Sequence, residues 1–365
     1  MKNYKIPIYR PDLGGNEKRY VIECLDTVWI SSRGRFVTEF EISFAKKIGI
    51  EHAASVSNGT VALHLALLAL GIGLGDEVIV PTLTYIATIN AVNYCNATPV
   101  FTDSVRNTWQ IDPEEIRRNI TPRTRAIMVV HLYGHACDMD AITAIAREYR
   151  LFVIEDCAEA LGTLYKGRHV GGFGDISTFS FFGNKTITTG EGGMVVSSDK
   201  TLIERARHLK GQGLAPDREY WHDVVGYNYR MTNIQAAIGL AQLERADEFV
   251  DRKRKIAELY AKLLQALPIE LHNEAPGTFH SYWMTSILVD HADLRDQLRK
   301  HLASVGIETR PLFYPAHTMP MHSLNFRRFP IAEDISCRGI NLPSYPSLSD
   351  DQVVSICQEI EKFYT

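Results

Sequence analysis

The chain has 365 residues, 45% of them apolar and 22% charged, with a formal charge of −4. That length exceeds one compact core and suits two domains, and the composition is that of a folded chain rather than a disordered or fibrous one. The negative balance disfavours a protein that holds nucleic acid through its overall field, while leaving room for a local basic pocket.

The start, Met1-Lys-Asn-Tyr-Lys-Ile-Pro7, lacks the apolar core of a signal peptide. The most apolar stretch, Val61 to Ile72, contains His64 and is too short to span a bilayer. A cytoplasmic protein without membrane or nucleic-acid partners is therefore expected. Six scattered cysteines form no CxxC pair and no histidine lies in HExxH spacing, so we expect reduced thiols and no metal.

Along the first two-thirds, short β-rich runs alternate with helical ones. Glu77 to Val80, Pro99 to Thr102, Ala126 to His131 and Leu151 to Glu155 read as buried strands. Ile86 to Tyr94, Pro113 to Asn119 and Met139 to Tyr149 read as helices between them. This alternation predicts an α/β protein with a mostly parallel sheet covered on both faces. Ile176 to Phe182 and Met194 to Ser197, joined through Gly190, Gly192 and Gly193, read as its closing strands. Ile234 to Leu267 reads as helical, and its charge run Asp251-Arg-Lys-Arg-Lys255 as a solvated face. A smaller α+β unit follows, with a strand at Tyr282 to Val289 and a helix at Leu294 to Val305. Ser349 followed by Gln352 predicts a capping box on the last helix, with Asp350 and Asp351 at its positive end. The expected division is a large domain, 1–245, and a small C-terminal domain, 246–365.

Three elements carry chemistry. Ser57-Asn58-Gly59-Thr60 opens directly into an apolar helix, whose free N–H groups and dipole suit a phosphate; Asn58 would equally serve as an ordinary N-cap. Asp156 ends the strand Leu151 to Glu155, where ligands of open α/β sheets gather. A carboxylate there suits a pyridinium nitrogen, or a structural ion pair. Ser180-Phe-Phe-Gly-Asn-Lys185 places a lysine just past a buried strand, before the glycines 190–193. Desolvation lowers a lysine pKa and frees its amine for a Schiff base.

Glu155-Asp156-Cys-Ala-Glu159, Gly174-Asp175, Phe179-Ser180-Phe181, Lys185 and Gly190-Glu-Gly-Gly193 together resemble the DegT/DnrJ/EryC1/StrS family of nucleotide-sugar aminotransferases. The resemblance runs from Trp29-Ile-Ser-Ser32 into the C-terminal domain. It implies the aspartate-aminotransferase fold (fold type I), with a large domain around a mostly parallel mixed sheet and a smaller α+β domain. It also implies pyridoxal 5′-phosphate as cofactor, converted to pyridoxamine 5′-phosphate in the half-reaction.

By the same resemblance Lys185 is the cofactor's lysine and proton shuttle, and Asp156 the partner of the ring nitrogen. Asn58, Gly59, Thr60 and Ser180 match phosphate positions, and Tyr85 the aromatic that stacks on the ring. Asn228, in Gly226-Tyr-Asn-Tyr-Arg230, matches an asparagine that reaches the neighbouring subunit's phosphate, implying a homodimer with shared sites. Glu159 stands where many relatives have Gln or His near the cofactor hydroxyl. A carboxylate can donate a hydrogen bond there only when protonated.

Within the family, Lys185 excludes the branch with histidine in its place. The segments Phe181 to Gly193, Gly211-Gln-Gly213, Tyr220-Trp-His222 and Glu308 to Pro315 resemble enzymes that aminate GDP-4-keto-6-deoxy-D-mannose at C4. L-glutamate is the implied donor, and O-antigen synthesis the implied destination. Arg230 and Arg310 are candidates for carboxylate or diphosphate recognition and His317 for the sugar; each would also fit a surface or interface ion pair. Two other readings are open. One is transamination of a dTDP- or UDP-linked 3- or 4-keto sugar. The other is a cofactor-holding regulatory protein, which the absence of a helix-turn-helix segment disfavours.

Overall fold

The computed structural model describes residues 4–323 and 327–365; Met1 to Asn3, the first part of the start discussed above, lie outside the described residues. In chain order the structure contains α1 (Glu17–Asp26), α2 (Arg35–Ile48), β1 (His52–Val56), α3 (Gly59–Leu70), β2 (Glu77–Pro81), α4 (Ala87–Tyr94) and β3 (Thr98–Thr102). There follow α5 (Pro113–Arg118), β4 (Thr124–Val130), α6 (Met139–Tyr149), β5 (Phe152–Asp156), β6 (Leu164–Tyr165), β7 (Arg168–His169), β8 (Ile176–Ser180) and β9 (Gly193–Ser197). Next come α7 (Lys200–Lys210), α8 (Asn233–Glu244), α9 (Ala246–Leu264), β10 (Ile269–Leu271), β11 (Thr278–Phe279) and β12 (Thr285–Val289). The chain closes with α10 (Ala292–Ser304), β13 (Arg310–Pro311), α11 (Pro330–Arg338), β14 (Gly339–Leu342) and α12 (Asp350–Tyr364).

Seven strands form the main sheet in the order β1-β9-β8-β5-β4-β2-β3. Only β9 runs against the others, pairing antiparallel with both β1 and β8. The expected strands are all present. Sequence reading missed β1 and could not show that β9 is inserted between β1 and β8. Alternating strand residues feed two cores. Ile79, Ile127, Val129 and Val153 pack under α2, α6 and α8, while Val78, Val80, Ala126 and Ile154 pack under α3, α4 and α7. Sandwiching of this kind explains why the parallel strands read as continuous apolar runs.

A second sheet, β10-β12-β14-β13, is antiparallel throughout. It shares a core with α9, α10 and α12, which Ile6 of the N-terminal segment joins. The strand expected from Tyr282 starts only at Thr285, because Tyr282 has φ 48° and turns the chain. The helical stretch 234–267 is broken at Arg245 (φ −112°, ψ 8°) into α8 and α9.

The solvated face expected for 251–255 is corrected. Lys253 is fully buried because it falls on the apolar stripe Phe249, Val250, Ile256, Ala257, Tyr260 of α9. Its Nζ donates to the Ser344 carbonyl at 2.8 Å. Arg254 is likewise engaged, donating to the His280 carbonyl at 2.7 Å. The Ser349–Gln352 capping box is formed as expected.

Candidate active site

The carboxyl ends of β5 and β8 and the start of α3 face one another. Asn58 brings the chain into α3 in extended conformation (φ −166°, ψ 171°) and caps it, its Oδ1 accepting from the Val61 N–H at 3.0 Å. Capping and anion binding are compatible, since the N–H groups of Gly59 and Thr60 sit at the open, positive mouth of the helix. Gly59 has to be glycine. A Cβ there would lie 2.7 Å from the Ser180 Cβ, so its smallness lets the helix mouth and Ser180 converge. Gly193 plays the same part on β9, where a Cβ would meet the Asn58 carbonyl oxygen at 2.6 Å.

Glu155 and Asp156 point to opposite faces of β5, as successive strand residues must. Glu155 is structural. Its carboxylate accepts from the backbone N–H groups of Gly171, Phe173 and Gly174 at 2.6–2.7 Å and from His131 Nε2 at 3.0 Å. Glu155, His131 and Cys157 lie close enough to hold an ion. Those donors, however, already occupy the Glu155 oxygens, and His131 Nδ1 accepts from the Cys137 N–H at 3.1 Å.

Asp156 faces the site. Its Oδ1 accepts from the Ala158 N–H at 3.1 Å and its Oδ2 from the Thr88 hydroxyl at 2.8 Å, leaving lone pairs on both oxygens. Burial raises its carboxyl above the ordinary aspartate value, opposed by these hydrogen bonds and by Lys185. Thr178, opposite Asp156 in register on β8, carries a buried hydroxyl with no partner among the described residues.

Lys185 follows β8 with 13% of its side chain exposed. Its Nζ lies 3.7 Å from Glu159 Oε1 and 4.0 Å from the centroid of the Trp283 ring. Burial depresses its pKa, while Glu159 and Asp156 pull the other way. Glu159 Oε2 accepts from the Tyr133 N–H at 2.8 Å, and burial pushes its carboxyl up to about 7. Thus a buried amine lies beside the buried Glu159 carboxyl and within the field of Asp156, a perturbed cluster of the kind that marks functional sites.

The ring of Tyr85 is 58% exposed and 5.6 Å from that of Phe313, so it is no ordinary core aromatic. Asn228 and Arg230 are both exposed, and Arg230 Nη2 donates to Asn228 Oδ1 at 3.1 Å. Arg310 is exposed on β13, with Nη2 3.5 Å from Glu308. His317 is engaged inside the protein. Its Nδ1 meets the Thr82 hydroxyl at 2.7 Å and its Nε2 meets Glu333 at 3.2 Å, leaving neither nitrogen for a sugar in this arrangement. Sequence reading missed Thr88, Thr178, Tyr133 and Trp283. Tyr133 and Trp283 approach from distant segments and carry no local motif, while Thr88 and Thr178 lie on elements that sequence reading found but whose inward-facing hydroxyls it could not single out.

A helix mouth closed by Ser180, a buried carboxylate with free lone pairs, an unpartnered hydroxyl beside it and a desolvated lysine fit pyridoxal 5′-phosphate in both shape and charge. These features, on a mixed seven-stranded sheet, are those of a pyridoxal-phosphate-dependent enzyme. The chain belongs to the DegT/DnrJ/EryC1/StrS aminotransferase family, whose model matches residues 11–361. It is 62% identical over 360 residues to the GDP-perosamine synthase of Escherichia coli O157:H7, covering 99% of each chain. It is 52% identical over 363 residues to the GDP-perosamine synthase of Vibrio cholerae, covering 98% of this chain and 99% of the relative. Among solved structures, the aminotransferase TlmJ from Streptoalloteichus hindustanus superposes with a TM-score of 0.94 at 31% identity, over 98% of both chains. The PLP form of Spr1654 from Streptococcus pneumoniae gives 0.94 at 27% identity, over 99% of this chain and all of the other.

Proposed function

We propose that this enzyme transfers the amino group of L-glutamate to C4 of GDP-4-keto-6-deoxy-D-mannose, giving GDP-perosamine and 2-oxoglutarate for O-antigen synthesis. The observation that carries the sugar is the 62% identity to a GDP-perosamine synthase across 99% of both chains. The reaction type rests on the buried Lys185 amine facing Asp156 and Glu159.

Bound in this site, pyridoxal 5′-phosphate supplies an electron sink for the carbon that loses its proton. We assign Lys185 Nζ to take that proton from the glutamate α-carbon and to deliver one to C4 of the sugar. Burial keeps a fraction of its amine neutral for this work. Asp156 would hold the ring nitrogen's proton by charge, with Thr88 keeping the carboxylate oriented. Asn58, Gly59, Thr60 and Ser180 would hold the phosphate, and Tyr85 would cover one face of the ring. Arg230 and Arg310, both exposed, are assigned to the glutamate carboxylate or the GDP diphosphate, for which guanidinium geometry is suited. His317, with both nitrogens engaged, would support the sugar pocket from behind through Thr82.

The sites would be shared across a homodimer, with Asn228 reaching the partner's phosphate. Supporting this, Tyr220, Trp221, Val224 and Val225 are exposed apolar residues just ahead of Asn228.

The experiment is a visible spectrum of the purified protein. Yellow colour should bleach with L-glutamate and return with GDP-4-keto-6-deoxy-D-mannose, and Lys185→Ala should abolish turnover. Bleaching with return only on a dTDP- or UDP-linked sugar would reject the acceptor. A protein that stays colourless with added pyridoxal phosphate would reject the reaction.

A further inference from the structure

Lys185 stands in a short loop between β8 and β9, and its backbone is tied to parts of the chain far from that loop. The Tyr9 hydroxyl donates to the Lys185 carbonyl at 2.5 Å. One residue earlier, the Trp283 indole Nε1 donates to the Asn184 carbonyl at 2.8 Å. The Trp283 ring also lies against the Lys185 ammonium, 4.0 Å from Nζ.

Both anchors are fixed to the C-terminal unit. The segment holding Tyr9 lies along that unit, with Ile6 N–H bonded to the Gly306 carbonyl at 3.1 Å and Glu308 N–H to the Ile6 carbonyl at 2.9 Å. Ile8 N–H donates to Glu308 Oε2 at 2.9 Å, and Ser344 N–H to the Ile8 carbonyl at 3.3 Å. The Tyr9 ring has the buried Lys253 ammonium 5.4 Å from its centroid. Trp283 lies just ahead of β12, the second strand of the other sheet.

We infer that Tyr9 and Trp283 are positioning residues for Lys185, holding consecutive carbonyls of its loop so that Nζ is presented to the reacting carbon. The inference rests on the assignment of Lys185 as the cofactor's lysine. Neither residue would exchange a proton with substrate. Each acts on the direction of the lysine side chain, and an amine displaced by even a fraction of an ångström from its reacting atom loses rate rather than affinity. The link also makes the lysine's position depend on how the N-terminal segment and the C-terminal unit sit on the main sheet.

Tyr9→Phe tests this, since it removes one hydroxyl and keeps the ring. Three quantities are read: kcat per bound cofactor with KM for both substrates, the rate at which cofactor-free protein turns yellow with pyridoxal 5′-phosphate, and the pH at which that colour titrates. We expect kcat and the rate of colour development to fall about five- to tenfold, the scale of one hydrogen bond. KM should stay unchanged and the colour's titration should move. An unchanged kcat per bound cofactor, or a loss confined to thermal stability or cofactor content, overturns the inference. Should Tyr9→Phe fail to fold, Trp283→Phe removes the other anchor and is read in the same way. Borohydride reduction and peptide mapping of the parent enzyme separate two failures. Label on another lysine overturns the site assignment and the anchoring together. Label on Lys185 with an unaffected Tyr9→Phe overturns the anchoring alone.

Discussion

Glu159 is the residue whose surroundings ask most of it. It shares a water-poor space with Asp156 and Lys185, and burial pushes its carboxyl up to about 7. Below that pH it is largely protonated and can donate a hydrogen bond; above it, it is a carboxylate that favours the Lys185 ammonium. One group therefore changes role within the working range. Glu159→Gln keeps an oxygen for the Tyr133 N–H and removes the titration. The rate–pH profile of the parent enzyme should show a limb near 7 that the variant lacks, with activity otherwise within about tenfold. A limb that persists in Glu159→Gln would assign the titration to another group. This behaviour comes first from the walls that exclude water, with the nearby Asp156 charge adding to it and Lys185 and the Tyr133 N–H opposing it, so the burial that dominates is not written in the neighbouring sequence.

Among the elements, α8 links helix chemistry to the loop that follows Lys185. Thr232 and Gln235 form a reciprocal capping box, and the Gln235 amide also donates to the Glu191 carbonyl at 2.7 Å. The helix start and the glycine-rich loop 190–193 are thus held by one side chain. Thr232→Ala removes the cap and should cost about 1 kcal/mol of stability, read as a lower urea midpoint with an unchanged slope. An unchanged midpoint would mean that tertiary packing alone holds the helix end. The start of α3 differs, because its cap Asn58 leaves the N–H groups of Gly59 and Thr60 facing the site. Sequence identified both caps by residue type, Asn58 and the Ser349–Gln352 pair, yet missed α1, α2 and α7. Those helices are strongly polar on one face; α2 nevertheless carries Phe36, Phe40, Phe44 and Ile48 at i, i+4 spacing, a stripe that is legible in the sequence and was overlooked.

On the scale of the whole molecule, we propose a division near residue 245, where α8 ends and α9 begins, with the N-terminal segment around Ile6 added to the C-terminal unit. Between the units lies a cluster of buried rings. His272 and His280 hydrogen-bond each other and backbone groups, His135 bonds backbone groups and packs its ring against both, and His272 stacks on Trp109 at 4.0 Å. The proposed sharing of sites between subunits has a direct test. Lys185→Ala and Asn228→Ala chains, each inactive alone, should regain activity when co-expressed, because mixed dimers contain one site with both residues intact. About a quarter of parental activity is expected for random pairing. No recovery would place each site within a single subunit.

The sequence by itself determined the layered α/β plan, the strands that carry Asp156 and Ser180, the helix start at Asn58 and the lysine at 185. These are local properties, written in apolar runs, caps and glycines whose meaning depends on near neighbours. Only the tertiary structure decided that β9 runs antiparallel between β1 and β8 and that both nitrogens of His317 are taken. It also decided that Tyr9 and Trp283 reach the lysine loop from 176 and 99 residues away. Each of these depends on which surfaces exclude water and which distant groups meet there, and burial and hydrogen bonding between remote segments leave no pattern along the chain.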